Sequence, residues 1–370
     1  MKKILFFIPN LMHGGAEKVL VNLVNNLDRD KYDITLHSLF DVGINKQFLK
    51  KDIKYKYTFK NLFKGSTAIF KIFTPKFLYK HIVKEEYDIV ISYLEGPTSR
   101  IISGCPYNSK KICWIHTQFI DQENMIRGFR NKKEAINHYN EFNKIISVSL
   151  MVKNSFIELS QINDDKVDIL YNTNETDEIL EKSQEMVEDI SIDNEILNII
   201  SVGKLTNVKG FDRLLNTHKK LINEGLFHKI YILGIGEDRE KIKKYIQEYN
   251  LTDTFHLLGY KDNPYKYVSK CDLYVCSSYR EGFSTAVTES LIVGTPVIST
   301  LCSGAQELLG YNNEYGLVVE NSEEGIYEGL KILIEDNALL KYYKNKAKER
   351  GKKFSKKNTI MEVENLLDKE

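Results

Sequence analysis

Residues 272–300 read "DLYVCSSYREGFSTAVTESLIVGTPVIST". "DLYVCSS" is a short apolar run of strand-favouring residues, "YREGF" breaks it, and Ser284 or Thr285 offers a hydroxyl cap for a helix through "STAVTESLIVG". "TPVIST" then returns to a second short run. A strand, a helix and a second strand in that order form a βαβ unit, and such units build parallel sheets with helices on their faces.

The alternation continues in both directions. Strand candidates "LNIISVGKL", "HKIYILGIG" and "TFHLLGY" precede the unit and "YGLVVE" follows it, while "FDRLLNTHKKLINEGL" and "DREKIKKYIQEYN" carry apolar residues at helical spacing. The first half offers "KILFFIP", "YDITLHSL", "YDIVISYL", "KKICWIH", "KIISVS" and "KVDILYN". At 370 residues the chain exceeds one ordinary core. Residues 175–195 hold nine acids against one lysine, Lys182, and read as a partly helical connection. The expected fold is α/β, with one Rossmann-like domain over 1–175 and a second over 190–354. Their parallel sheets are expected to leave a cleft where the carboxyl ends face each other.

With 42% hydrophobic and 28% charged residues, the composition is that of a globular protein and not of a disordered one. The opening "MKKILFFIPN" places two lysines before an apolar run, but that run is cut at Pro9 and reads as a buried strand, not a signal peptide. No apolar run approaches the ~20 residues of a membrane span, so a cytoplasmic protein is expected. Cys105, Cys113, Cys271, Cys276 and Cys302 form no zinc-type spacing and read as reduced, buried thiols. The net charge of +1 hides two basic stretches: eleven lysines against Asp52 between Ile44 and Lys84, interleaved with aromatics, and nine Lys/Arg against Glu349 between Lys341 and Lys357. Such stretches suit anionic headgroups or simply a solvated face, and a nucleic-acid partner is not expected.

Glu281 and Glu289 stand eight positions apart across the helix start. Glu281 lies at the strand's carboxyl edge and Glu289 in the first turns of the helix. The amides of Gly282 and Phe283, with the helix dipole, favour an anion. Carboxylates are poor phosphate ligands and good acceptors for hydroxyls, so the pattern fits a sugar and a ribose joined by phosphate: a nucleotide sugar.

The Glu-x7-Glu pattern, with "EGF" before it and "GTPVIST" and "GAQELL" after it, resembles the donor site of glycosyltransferase family 4, retaining enzymes of the GT-B fold. The likeness extends through "GGAEKVLVNL", "WIHTQ", "IISVS", "VGKLTNVKGFDRLL", "YILGIGEDRE" and "LLGYKDNPYKYVSKCDLYVCSS". It implies that Lys209 contacts the donor diphosphate, with Lys204 where the family usually has arginine, so a point charge replaces a bidentate grip. It further implies that Glu289 accepts from ribose hydroxyls, that Glu281, Gly282, Phe283 and Ser284 lie near the transferred sugar or phosphate, and that Leu258, Gly259 and Tyr260 border the base. Gly14 and Gly15 match the glycine loop of the first domain, and His116 a histidine that contacts the donor sugar. The catalytic candidates are His116, Lys209 and Glu281. The helix near 355–370 is expected to pack back on the first domain.

The resemblance thus implies transfer of a hexose or N-acetylhexosamine, from a UDP-sugar or secondarily GDP-mannose, to a saccharide acceptor. A lipid-linked acceptor at the inner membrane face is expected, in the assembly of capsule or O-antigen. No cofactor or metal is expected, because Asp28-Arg29-Asp30 reads as a surface turn and not as a DxD metal motif. Three rivals remain: a non-catalytic partner subunit, an epimerase or phosphorylase of the same fold, and a dehydrogenase. For the last, "GIGEDRE" has Arg239 where the third glycine of a dinucleotide loop belongs.

Overall fold

In the computed structural model, which describes residues 1–12, 14–190, 192–193 and 195–369, the apolar runs pair into two all-parallel sheets. Each sheet belongs to its own compact unit, Met1–Thr173 with Lys357–Glu370, and Asn174–Lys356. The first contains β1 (Lys2–Ile8), β2 (Tyr32–Phe40), β3 (Lys54–Phe59), β4 (Ile89–Ser92), β5 (Lys110–Ile115), β6 (Lys144–Ser147) and β7 (Val167–Ile169), in the order β3-β2-β1-β4-β5-β6-β7. The second contains β8 (Leu197–Val202), β9 (His228–Leu233), β10 (Phe255–Gly259), β11 (Leu273–Cys276), β12 (Val297–Thr300) and β13 (Leu317–Val319), in the order β10-β9-β8-β11-β12-β13. Central strands such as β1 and β4 are buried on both faces, as a helix-covered parallel sheet requires.

Three local features differ from the sequence reading or add to it. The Lys/aromatic stretch 44–84 contains a strand, β3, whose "KYKYTF" alternation marks a half-exposed edge. Many of its aromatics also pack inward: Phe59, Phe63 and Phe70 meet one another and Phe40 of β2 ring to ring at 5.3–6.3 Å, and Phe70 and Tyr79 are buried. The acidic connection begins with a helix, Thr176–Ser183, that packs through Ile179 against the helices Tyr265–Lys270 and Thr285–Val293. The final helix, Lys356–Asp368, lies on the first unit. There Lys110 Nζ donates to the carbonyl of Leu366 (2.8 Å), Lys2 Nζ to that of Leu367 (3.1 Å), and the Tyr32 hydroxyl to Asp368 (2.8 Å). Cations at a helix carboxyl end meet the negative pole of its dipole.

The second unit buries a histidine pair beneath the helix Phe211–Asn223. His218 Nδ1 and His228 Nε2 are 2.8 Å apart, His218 Nε2 is 2.9 Å from the Thr254 hydroxyl, and His228 Nδ1 is 2.8 Å from the Leu226 carbonyl. That carbonyl can only accept, so His228 Nδ1 carries the proton and His228 Nε2 accepts from His218. Burial pulls His218 to about 2 and His228 to about 4. Below the ordinary histidine value of about 6.5 the unfolded chain binds protons that the folded chain refuses. The pair's contribution is therefore complete above that pH and is lost as the pH falls through about 4 toward about 2. Denaturant titrations between pH 7 and 4.5 should show stability declining as the pH drops. In His218→Gln, which can still bridge both neighbours, the decline should be shallower by about 1.4 kcal/mol per pH unit. An unchanged slope would remove the pair from the account.

Candidate active site

Both sheets reverse their strand order beside their first strand, between β1 and β4 and between β8 and β11. Connections leaving neighbouring strands there run to opposite faces, and the crevice at the carboxyl ends is where ligands bind in open α/β sheets. In the second unit, that edge collects most of the residues expected from the sequence. Lys204 follows β8 and is exposed, and Lys209 ends the short turn Asn207–Lys209. Glu281, Gly282, Phe283 and Ser284 follow β11.

The two loops are welded together. Gly210 has φ +64°, and a Cβ there would stand 2.2 Å from the Ser277 carbonyl oxygen, so glycine is required by conformation and by space. That carbonyl accepts from Arg213 Nε (2.8 Å) and Nη2 (2.5 Å), and the Ser277 hydroxyl donates to the Lys209 carbonyl (2.9 Å). The Arg213 guanidinium itself lies 3.9 Å from the centre of the Tyr279 ring. On this frame Lys209 Nζ meets Glu281 Oε1 at 2.6 Å, and the Ser278 hydroxyl donates to the same oxygen at 2.6 Å. Burial works to lower the Lys209 pKa, but the Glu281 carboxylate outweighs it and the ammonium is held above its ordinary value. The cation stays charged in a half-buried place.

Ser284 caps the helix Thr285–Val293, its hydroxyl accepting from the Val287 amide at 3.4 Å. Phe283 is buried, with its ring 6.1 Å from that of Phe354. Glu289, in the second helical turn, is buried and not on a wet face, and it accepts from the Tyr265 hydroxyl at 3.3 Å. Leu258 and Gly259 end β10, two strands from β8, and Tyr260 beyond them is half exposed. Gly259 is fixed to its neighbour by a bond from the Gly234 amide (2.8 Å).

In the first unit, Gly14 precedes the helix Gly15–Asn26 in extended conformation, φ −137°, so its backbone alone does not demand glycine. The Glu17 carboxylate occupies the space a Cβ would take, and burial raises that carboxyl's pKa. His116 follows β5, its ring 4.8 Å from that of Tyr93. Its Nε2 is buried and has no hydrogen-bond partner among the described residues, and burial pulls the imidazole down to about 3. An unmet buried polar atom costs about 1–3 kcal/mol, which a ligand hydroxyl can offset. Asp28-Arg29-Asp30 forms a turn in which the Asp30 amide donates to Asp28 (2.9 Å) and Arg29 pairs with Asp52 (2.6 Å).

Sequence reasoning missed Tyr265, Ser278 and Glu95, the last of which accepts from the His116 amide. Glu95 carried the clearest unused signal, a lone acid between an apolar strand and Gly96-Pro97. The second unit thus offers two ammonium groups, amides at a helix start and two acceptor carboxylates, a set suited to a phosphate flanked by hydroxyl-rich groups.

Residues 182–350 match the family described as Glycosyl transferases group 1, and residues 13–178 match Glycosyltransferase Family 4. A Campylobacter jejuni relative, N-acetylgalactosamine-N,N'-diacetylbacillosaminyl-diphospho-undecaprenol 4-alpha-N-acetylgalactosaminyltransferase, is 30% identical, with 96% of each chain covered. An uncharacterized Haemophilus influenzae glycosyltransferase is 25% identical over 99% of this chain and 100% of its own. Among solved structures, Anabaena HepE in complex with UDP and glucose superposes with a TM-score of 0.78 at 17% identity, covering all of both chains. With two parallel-sheet units of this strand order, the chain belongs to glycosyltransferase family 4 and is a glycosyltransferase of the GT-B fold.

Proposed function

We propose that this glycosyltransferase moves a hexose or N-acetylhexosamine, with retention, from a UDP-sugar to a lipid-linked saccharide at the inner membrane face, in the assembly of a surface polysaccharide such as capsule or O-antigen. The observation that carries the acceptor class is the near full-length likeness to an enzyme named for a diphospho-undecaprenol saccharide. UDP is favoured as carrier because the fold neighbour HepE holds UDP and glucose.

The charge arrangement supports the chemistry. As the bond from the sugar's anomeric carbon to the diphosphate breaks, negative charge grows on the departing phosphate. Lys209, Lys204 and the amides ahead of the helix Thr285–Val293 are the groups that would stabilise it. The acceptor hydroxyl attacks from the same face, its oxygen bonds to the anomeric carbon, and its proton passes to the leaving phosphate oxygen. Under this reading Glu281 and the His116 Nε2 hold sugar hydroxyls, Glu289 holds the ribose, and neither metal nor covalent sugar–enzyme intermediate is required.

A labelled UDP-sugar incubated with an undecaprenyl-diphosphate saccharide should give an extended lipid with the donor's anomeric configuration, in EDTA as well as without it. Lys209→Ala should lower kcat by about 10²–10³-fold. Hydrolysis, epimerisation or phosphorolysis without transfer would replace this reading with one of its same-fold rivals.

Glu281 is paired with Lys209 and would compete with a diphosphate for it. Glu281→Gln should therefore tighten UDP binding by several-fold in calorimetry, since the freed ammonium no longer has an anionic partner, while transfer falls. Weaker UDP binding in that variant would mean the pair is not opened by the diphosphate.

The membrane part narrows to one turn of the first unit. Ile69, Ile72, Phe73 and Phe77 are exposed around the junction of the helices Ser66–Ile72 and Pro75–Ile82, with Phe73 and Phe77 stacked at 5.0 Å. Arg130 grips the Ile72 carbonyl (2.9 Å) and Arg100 the Phe73 carbonyl (2.7 Å), so the apolar tip is held rigidly. Exposed Lys60, Lys64, Lys76, Lys80 and Lys84 surround it in sequence, each worth about 1 kcal/mol near an anionic surface. Vesicles containing anionic lipid should sediment the protein and neutral vesicles much less. Ile72→Asp with Phe77→Asp should abolish sedimentation while leaving UDP binding intact; retained sedimentation would remove this surface from the membrane reading.

A further inference from the structure

The connection after β4 carries a carboxylate for which the reading above has no use. Residues Tyr93–Pro97 turn sharply before the helix Pro97–Ser103, and Gly96 has φ +95°, with the Arg127 carbonyl 3.1 Å from where a Cβ would sit. The turn is braced without Glu95: the Leu94 carbonyl accepts from the hydroxyls of Ser92 (2.8 Å), Thr98 (2.6 Å) and Ser99 (3.1 Å). Glu95 instead reaches across to the end of β5. Its Oε2 accepts from the His116 amide at 3.0 Å, and its Oε1 accepts from the Thr117 hydroxyl. Burial raises the carboxyl's pKa, so the group is held where ionisation is costly, with those two donors and the Arg127 charge working the other way.

These bonds fix the backbone of the residue whose side chain presents the unpartnered Nε2. The Tyr93 ring, two residues before Glu95, packs against the same imidazole. One short segment therefore grips His116 by its main chain and by its ring.

We propose that Glu95 is a positioning residue, whose carboxylate ties the end of β4 to the His116–Thr117 turn and so aims His116 Nε2 at a substrate hydroxyl. This rests on the role given to His116 in the proposed function. The mechanism is geometric, not electrostatic: burial is the cause of the lowered His116 pKa, and an accepting side chain of the right length is what the two donors need.

The test uses the full chain with 15N-labelled histidine, following His116 by NMR in wild type, Glu95→Gln and Glu95→Ala. In wild type and Glu95→Gln the imidazole should stay neutral down to about 3. In Glu95→Ala the freed turn admits water, and the titration should move at least about one unit toward the ordinary value. Losing a nearby negative charge would by itself move it the other way. In transfer assays Glu95→Ala should lower kcat by about tenfold with the donor KM little changed, and should cost nothing further in a His116→Ala background. Thr117→Val, which removes one of the two bonds, should shift the titration in the same direction by less, and it serves if Glu95→Ala does not fold. An unmoved His116 titration, losses that multiply with His116→Ala, or Glu95→Gln falling as far as Glu95→Ala would each overturn the proposal. Absence of transfer by wild type would instead overturn the functional reading, while the titration still decides the role of Glu95.

Discussion

Every parallel sheet needs a crossover between consecutive strands, and when the crossovers change direction the loops at one edge part. In this chain that happens once per sheet, at β1/β4 and at β8/β11. The connections there leave toward opposite faces, while in the second unit the loop roots after β8 and β11 stay in contact at the carboxyl edge. Residues far apart in sequence, such as Lys209 and Glu281, are delivered to the same place by this constraint alone. The covering helices and the apolar strands beneath keep those loop roots still.

What the edge holds differs between the units. In the second, the charged groups arrive already paired: Lys209 with Glu281, and Glu289 with the Tyr265 hydroxyl. A half-buried pair of this kind gains little net stability, because desolvation offsets much of the attraction. Its consequence is local readiness, since the Lys209 ammonium stays charged and the Gly210–Ser277 contact fixes the loops that carry the pair. An incoming diphosphate and sugar would then exchange partners with groups that are already in position.

How far the sequence revealed this depends on range. The βαβ pattern and the Glu281–Glu289 spacing are local, fixed by strand, loop and cap within about thirty residues, and both were readable. β3 was not, because an edge strand that alternates lysine with half-exposed aromatics reads as a charge run. The helix Thr176–Ser183 was legible only as a partly helical connection, since the burial of Ile179 rests on helices far along the chain. The pairing of Lys209 with Glu281 spans 72 residues, and no spacing rule selects one lysine among many. Tyr265 acts through one hydrogen bond and Glu95 through two, and isolated bonds leave no periodic trace.

The first unit contrasts with the second in what it leaves unmet. There the His116 Nε2 is buried without a partner among the described residues, although its main chain is held by Glu95 and its ring by Tyr93. A polar atom in that state carries an unmet cost, shared in this unit by His37 Nδ1 and the Tyr139 and Ser147 hydroxyls, which a bound hydroxyl would offset. Half-buried charge is held best when paired, and in the second unit Lys209 is paired with Glu281. A hydroxyl can be met by a carboxylate, or by a neutral donor or acceptor held dry and still. A buried imidazole kept neutral, anchored through its main chain, meets that requirement without any charge of its own.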